Sequence, residues 1–124
     1  MARILFADDE KLITELAEIH LSEHELTLIN DVDQAIEAVK NVVYDLIVSD
    51  LDFKQPLNGI DIMRASIHSP NKNTPKIINT SFPRFTEEEK KVVKELEIEV
   101  VVGKPNMKHV VDAIQKKLQQ VMKI

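Results

Sequence analysis

A small set of polar residues stands directly after short apolar runs and could act together on phosphate. Asp8 and Asp9 follow the first run, Asp50 follows another, Thr80 and Ser81 end a third, and Lys104 follows the last. Three carboxylates gathered without a cation repel one another and raise one another's pKa, so such a set asks for a hard divalent ion. Mg²⁺ prefers oxygen ligands, keeps several waters and commonly shares its shell with phosphate. An ammonium and a hydroxyl are the groups that hold phosphoryl oxygens. Taken singly, each residue has a plainer role as helix cap, strand end or solvated charge. Taken together they describe a Mg²⁺-dependent phosphoryl site, provided that the fold brings them to one place.

The periodicity supplies such a fold. Arg3-Ile4-Leu5-Phe6-Ala7 reads as a buried strand, and Leu12, Leu16 and Ile19, with Ile13 beside them, mark the core face of a helix from about Glu10 to Leu21. Leu26–Ile29 is a second strand. A second helix carries Ala35, Ile36 and Val39, with Asp31 and Asp33 at its start as caps or dipole partners. The third strand runs from Tyr44 to Ser49, and a turn-rich stretch from Phe53 to Gly59 leads to a short helix with Ile60, Met63 and Ile67. Ser69–Pro75 has the composition of a surface loop, and Lys76–Thr80 forms a fourth strand. Thr86 with Glu89 is a capping-box pair opening a helix through Val92, Val93 and Leu96. Ile98–Val102 is the fifth strand, and the last helix carries Val110, Val111, Ile114, Leu118 and Val121. Strand and helix alternate five times, which predicts an α/β domain with a parallel sheet covered on both faces. In such sheets ligands bind outside the carboxyl ends of the strands, where Asp8, Asp9, Asp50, Thr80 and Lys104 all fall.

Composition narrows the classes of function. A chain of 124 residues predicts one domain, residues 1–124, and 44% hydrophobic with 30% charged residues is too apolar for disorder. With 16 basic against 21 acidic residues the formal charge is −5, and no basic stripe suited to nucleic acid is visible. The absence of cysteine removes disulfide scaffolds, thiolate catalysis and Cys-based zinc sites. No apolar run approaches the ~18 residues that a membrane helix needs, and no signal peptide is visible. The expectation is a cytoplasmic protein that binds neither nucleic acid nor membrane. Neither of its two glycines is placed to build a nucleotide loop.

The ordered set of motifs resembles the receiver domains of two-component response regulators, CheY-like in standing alone without an output domain. The resemblance covers the whole chain and rests on Asp8-Asp9, Asp50, Thr80 and Lys104-Pro105, with Thr80 and Lys104 lying 30 and 54 residues beyond Asp50. It implies a flavodoxin-like, doubly wound (βα)5 fold with strand order 2-1-3-4-5. It further implies that Asp50 is the phosphoacceptor, charged by a sensor histidine kinase or a histidine phosphotransfer protein. Asp8, Asp9, Asp50 and the backbone carbonyl of Asp52 would be the Mg²⁺ ligands. Thr80 and Lys104 would bind phosphoryl oxygens, Pro105 would follow a cis bond, and an effector protein would read the result by contact. In this reading the chain is a signalling phosphoacceptor and not a turnover enzyme.

Four positions depart from that pattern. Val101 stands where the family carries a Tyr or Phe, so the usual aromatic readout is missing. Asp52 and Phe82 occupy the positions that tune loss of the phosphoryl group, and Phe82 could shield it. Asn79 is polar in a strand that is otherwise apolar at that point and needs partners if buried. The loop from Asp52 to Gly59 is one residue longer than usual, with Lys54-Gln55-Pro56 inserted, while Gly59 keeps the family's position at the start of the third helix. His20, His24, His68 and His109 have no ligand-like spacing, and Glu87-Glu88-Glu89-Lys90-Lys91 reads as a solvated helix face rather than a docking surface.

Two other readings share some of these residues. Asp50-Leu51-Asp52 after an apolar strand resembles haloacid-dehalogenase-type phosphohydrolases, but there the Asp-x-Asp strand comes first, whereas here Asp8-Asp9 precede it and only a helix follows Lys104. A pseudo-receiver scaffold would keep the fold without the chemistry; Val101 leans that way and the full set of acids, threonine and lysine leans against it. A flavodoxin-type module is disfavoured, because Asp8-Asp9-Glu10 would repel a flavin phosphate.

Overall fold

Five strands alternate with five helices along the chain, and the computed structural model describes residues 1–121. The elements are β1 (Arg3–Ala7), α1 (Lys11–His20), β2 (Glu25–Ile29), α2 (Val32–Asn41), β3 (Leu46–Ser49), α3 (Gly59–Ala65), β4 (Lys76–Thr80), α4 (Glu87–Glu95), β5 (Glu99–Val102) and α5 (Lys108–Val121). All strand pairs are parallel, in the order β2-β1-β3-β4-β5. This is the flavodoxin-like arrangement expected from the sequence. Among the described residues no helix is long and apolar enough to cross a membrane.

The central strands β1, β3 and β4 are buried on both faces, which is why they read as unbroken apolar runs. On one face Ile4, Phe6, Leu46, Val48 and Ile77 pack under α1 and α5. On the other, Leu5, Ala7, Ile47 and Ile78 pack under α2 and α3, with α4 contributing partly buried Val92, Val93 and Leu96. Helix α4 has no fully buried residue. The predicted caps form: Asp31 Oδ2 accepts from Gln34 N at 3.0 Å, and Thr86 and Glu89 close a reciprocal box. The side chain of Val121 lies outside the described residues.

Four expectations are corrected. Leu12 and Ile19 are 60% and 69% exposed and Leu16 is half-buried; α1 instead buries Ile13, Thr14 and Ala17. Both stripes are apolar, but residues four apart at 13, 17 and 21 stay in line with the sheet, and small Ala17 lets the helix approach it. The third strand starts at Leu46 rather than Tyr44, because Asn71 Oδ1 takes the Tyr44 N–H at 2.8 Å. Nor is Ser69–Pro75 only a surface loop: Asn71 within it is fully buried, and Ile67 sits in a 3₁₀ turn, Ser66–His68, rather than in α3.

Candidate functional site

The carboxyl ends of β1, β3, β4 and β5 open on one rim, and Lys104 organises it. Its Nζ lies 3.0 Å from Asp50 Oδ2, 2.9 Å from Asp8 Oδ2 and 3.2 Å from Glu10 Oε1. The lysine comes from the β5–α5 connection and its ammonium meets acids that follow β3 and β1. The Lys104–Pro105 bond is cis.

The acids are held by backbone. Asp50 N donates to Ala7 O at 2.8 Å, and Asp50 Oδ1 accepts from Leu51 N at 2.8 Å. Asp8 N donates to Ile29 O, Asp8 Oδ1 accepts from Glu10 N at 2.9 Å, and Asn30 Nδ2 donates to the Asp8 carbonyl at 2.7 Å and to Thr14 Oγ1 at 3.0 Å. Asp8 and Asp50 are both nearly sealed from solvent, at 1% and 4% exposure. Burial, reinforced by the neighbouring Asp50 charge, pushes the Asp8 carboxyl up to about 6. Burial also raises Asp50, against the opposing pull of Lys104 and of backbone N–H groups. For Lys104, burial works against the charge, but the two carboxylates outweigh it and hold the ammonium above its usual range. The site therefore contains more negative charge than one lysine settles.

A cation fits that surplus. Carboxylate oxygens of Asp8, Asp9 and Glu10 lie within 4.8 Å of one another. Among the described residues, buried Asp8 Oδ2 has as its polar partner the Lys104 ammonium at 2.9 Å, which it shares with Asp50 and Glu10. A buried carboxylate oxygen that must share one ammonium, beside two further acids, suits Mg²⁺, which takes oxygen ligands. Glu10 was not read from the sequence as a ligand or a partner of Lys104; its place directly after Asp8-Asp9 was the available signal.

The loop after β3 is built for close approach. A Cβ on Gly59 would stand 2.0 Å from the Asp50 carbonyl oxygen, so only glycine lets α3 start there, with Gly59 N donating to Leu51 O at 2.8 Å. Gln55 ties this loop across to the start of α2: its Oε1 accepts from Val32 N at 3.1 Å and its Nε2 donates to Asp31 Oδ1 at 3.1 Å. Asn58 caps α3 and donates to Glu89 Oε2 of α4 at 2.9 Å, while Arg64 pairs with Glu88 at 2.7 Å. The acidic start of α4 is thus partly engaged by α3 rather than wholly solvated.

Two expected partners are turned elsewhere. The Thr80 hydroxyl donates to Phe82 O at 3.1 Å and accepts from Phe82 N at 3.2 Å. Asp52 has an exposed side chain and lines an open hollow of about 330 Å³ with Leu51, Asn58, Phe82 and Arg84. Phe82 is 71% exposed, and its ring lies 5.7 Å from the Arg84 guanidinium carbon. Val101 is buried, and so is Asn79, whose amide nitrogen and oxygen both lack partners.

No protein-family model and no curated protein sequence matches this chain. Solved structures match its fold closely. A CheY-like response regulator receiver domain protein from Methanospirillum hungatei is 18% identical, with a TM-score of 0.82 over 99% of this chain and 98% of that one. Response regulator TrrA from Thermotoga maritima, solved in complex with Mg(2+)-BeF, is 24% identical, with a TM-score of 0.77 over 95% of this chain and all of its own. Chemotaxis protein CheY4 from Vibrio cholerae is 21% identical, with a TM-score of 0.78 over 95% and 99% of the two chains. The chain has the fold of CheY-like receiver domains over nearly its whole length.

Proposed function

We propose that this protein is a cytoplasmic receiver domain that accepts a phosphoryl group on Asp50 from a histidine kinase or histidine phosphotransfer protein and signals by contact with an effector protein. The observation that carries this reading is the ammonium of Lys104, held between Asp50 and Asp8 at the ends of their strands. Asp8, Asp9 and the backbone carbonyl of Asp52 would hold Mg²⁺, with Asp50 beside them, and its charge would offset that of the incoming phosphoryl oxygens.

A carboxylate oxygen of Asp50 attacks phosphorus in line, and the P–N bond to the donor imidazole breaks with its electron pair leaving on nitrogen. Lys104, already beside Asp50 Oδ2, passes to a phosphoryl oxygen. Thr80 gives up the Phe82 carbonyl and turns its hydroxyl toward another. Because Thr80 and Phe82 now hold each other, that turn releases the segment leading into α4. Val101 has no aromatic ring to swing, so the change leaves through this segment rather than through β5. The product is an acyl phosphate that stays on the chain, which makes the protein a phosphoacceptor and not a turnover enzyme.

Incubation with acetyl phosphate and Mg²⁺ followed by mass spectrometry tests this. One phosphoryl adduct is expected on the wild type and none on Asp50→Asn. No adduct on the wild type, or an undiminished one on the variant, overturns the reading. Multiple turnover of a phosphomonoester in a steady-state assay would instead assign the site to a phosphohydrolase.

A further inference from the structure

Four side chains form a row across the carboxyl ends of four strands. The register pairs Ala7 with Ser49, Ser49 with Ile78, and Asn79 with Val101. One residue further on, Asp8 falls beside Asp50 and Asp50 beside Asn79. Phe6, Val48 and Ile77, each two residues earlier, belong with Val101 to the core layer under α1 and α5, so strand alternation places the whole row on that face. Neighbouring strands lie about 4.8 Å apart, which makes each member of the row a direct neighbour of the next. It reads carboxylate, carboxylate, amide, valine.

Asn79 is the member without a job. It is 1% exposed, and neither Nδ2 nor Oδ1 has a hydrogen-bond partner. A buried amide left unmade is costly, and an apolar residue of similar shape would be better in the free protein. Its neighbour Val101 offers neither donor nor acceptor, so within the row the polar side chain beside Asn79 is that of Asp50. In this structure Asp50 needs no further donor, since Oδ1 is served by Leu51 N and Oδ2 by Lys104.

That balance changes when a phosphoryl group arrives. Lys104 is drawn to a phosphoryl oxygen, and the carboxyl oxygen it leaves loses its donor. We propose that Asn79 is a positioning residue for the phosphoacceptor: its amide N–H takes over the Asp50 oxygen that Lys104 gives up. The inference rests on the reading of Asp50 as phosphoacceptor and adds a residue to it. The amide is orphaned in one state and satisfied in the other, so its burial biases the protein toward the charged form.

Asn79→Val and Asn79→Leu test this by opposite shifts in two measurements. Without ligands, both variants are expected to melt above the wild type, because the orphaned amide is gone. With beryllium, fluoride and Mg²⁺, which mimic the aspartyl phosphate, their affinity is expected to fall roughly tenfold, about the effect of one hydrogen bond to a charged group. Affinity for Mg²⁺ alone is expected to stay the same. A purely structural residue would move both states together, so parallel shifts, or an undiminished beryllofluoride affinity, overturn the proposal while leaving the Asp50 reading in place. A wild type that takes neither beryllofluoride nor a phosphoryl group overturns both.

Discussion

The two ends of the sheet bury comparable polar groups in opposite conditions. At the amino ends of β3 and β4, Asn71 makes four hydrogen bonds: Oδ1 accepts from Tyr44 N and Thr74 Oγ1, and Nδ2 donates to the carbonyls of Val39 and Val42. Beside it, Lys76 donates to the carbonyls of Asn71, Lys72 and Thr74, one for each ammonium proton. At the carboxyl ends, Asn79 keeps both amide atoms without hydrogen bonds, and three acids crowd one lysine. Burial of polar side chains is common to both ends and so does not mark function. Satisfaction does: the lower cluster is finished when the chain folds, whereas the upper one keeps capacity for something that arrives later.

The sharpest way to break this comparison is at the lower end. Asn71→Leu strands the Tyr44 N–H and two carbonyls, and is expected to lower the unfolding free energy by about 3–5 kcal/mol in urea titrations. The loss should be the same with and without Mg²⁺. A loss below about 1 kcal/mol would show the cluster to be dispensable.

At the upper end a substitution should act in the opposite direction. Asp8→Asn keeps an oxygen for the Glu10 N–H while removing a buried, repelled charge, and is expected to raise stability at pH 7 by about 1–2 kcal/mol while abolishing the effect of Mg²⁺. The gain should depend on pH. The Asp8 carboxyl titrates at about 6 in the folded chain against 3.8 ordinarily, so between those values the native state holds a proton that the unfolded chain has released. Its contribution to the metal-free protein is full below pH 3.8 and is lost as pH rises through about 6. The stability difference between variant and wild type should therefore widen across that window and level off above it. A flat difference would place the charge strain elsewhere. The smallest effect belongs to the loop that flanks the upper end: Gln55→Ala loses its bonds to Val32 and Asp31, and should cost about 1 kcal/mol in thermal melts.

Most of the scaffold could be read from local signals. The five apolar runs, the Asp31 cap and the Thr86–Glu89 box depend on residues close in sequence, and the structure shows each of them. The meeting of Asp8, Asp50 and Lys104 was legible as well, because parallel topology fixes where strand ends go. What was missed depends on rotation or reach. The register of α1 is set by how Ala17 lets it settle on the sheet, and two apolar stripes side by side gave no means of choosing. Asn71 looks like any loop asparagine until the ends of α2 and β3 are brought around it. Asn58 and Glu89 are 31 residues apart, and nothing local couples them.

Helix α4 lacks a fully buried side chain, and two polar tethers, Asn58 to Glu89 and Arg64 to Glu88, fasten its first turn to α3. A segment held so lightly lies low on the ladder of local opening energies. In deuterated water its amides should exchange through excursions of α4 alone, while those of β1 and β3 wait for the whole molecule to come apart. The protein thus carries an internal order of release, with the segment that follows Thr80 and Phe82 first to let go.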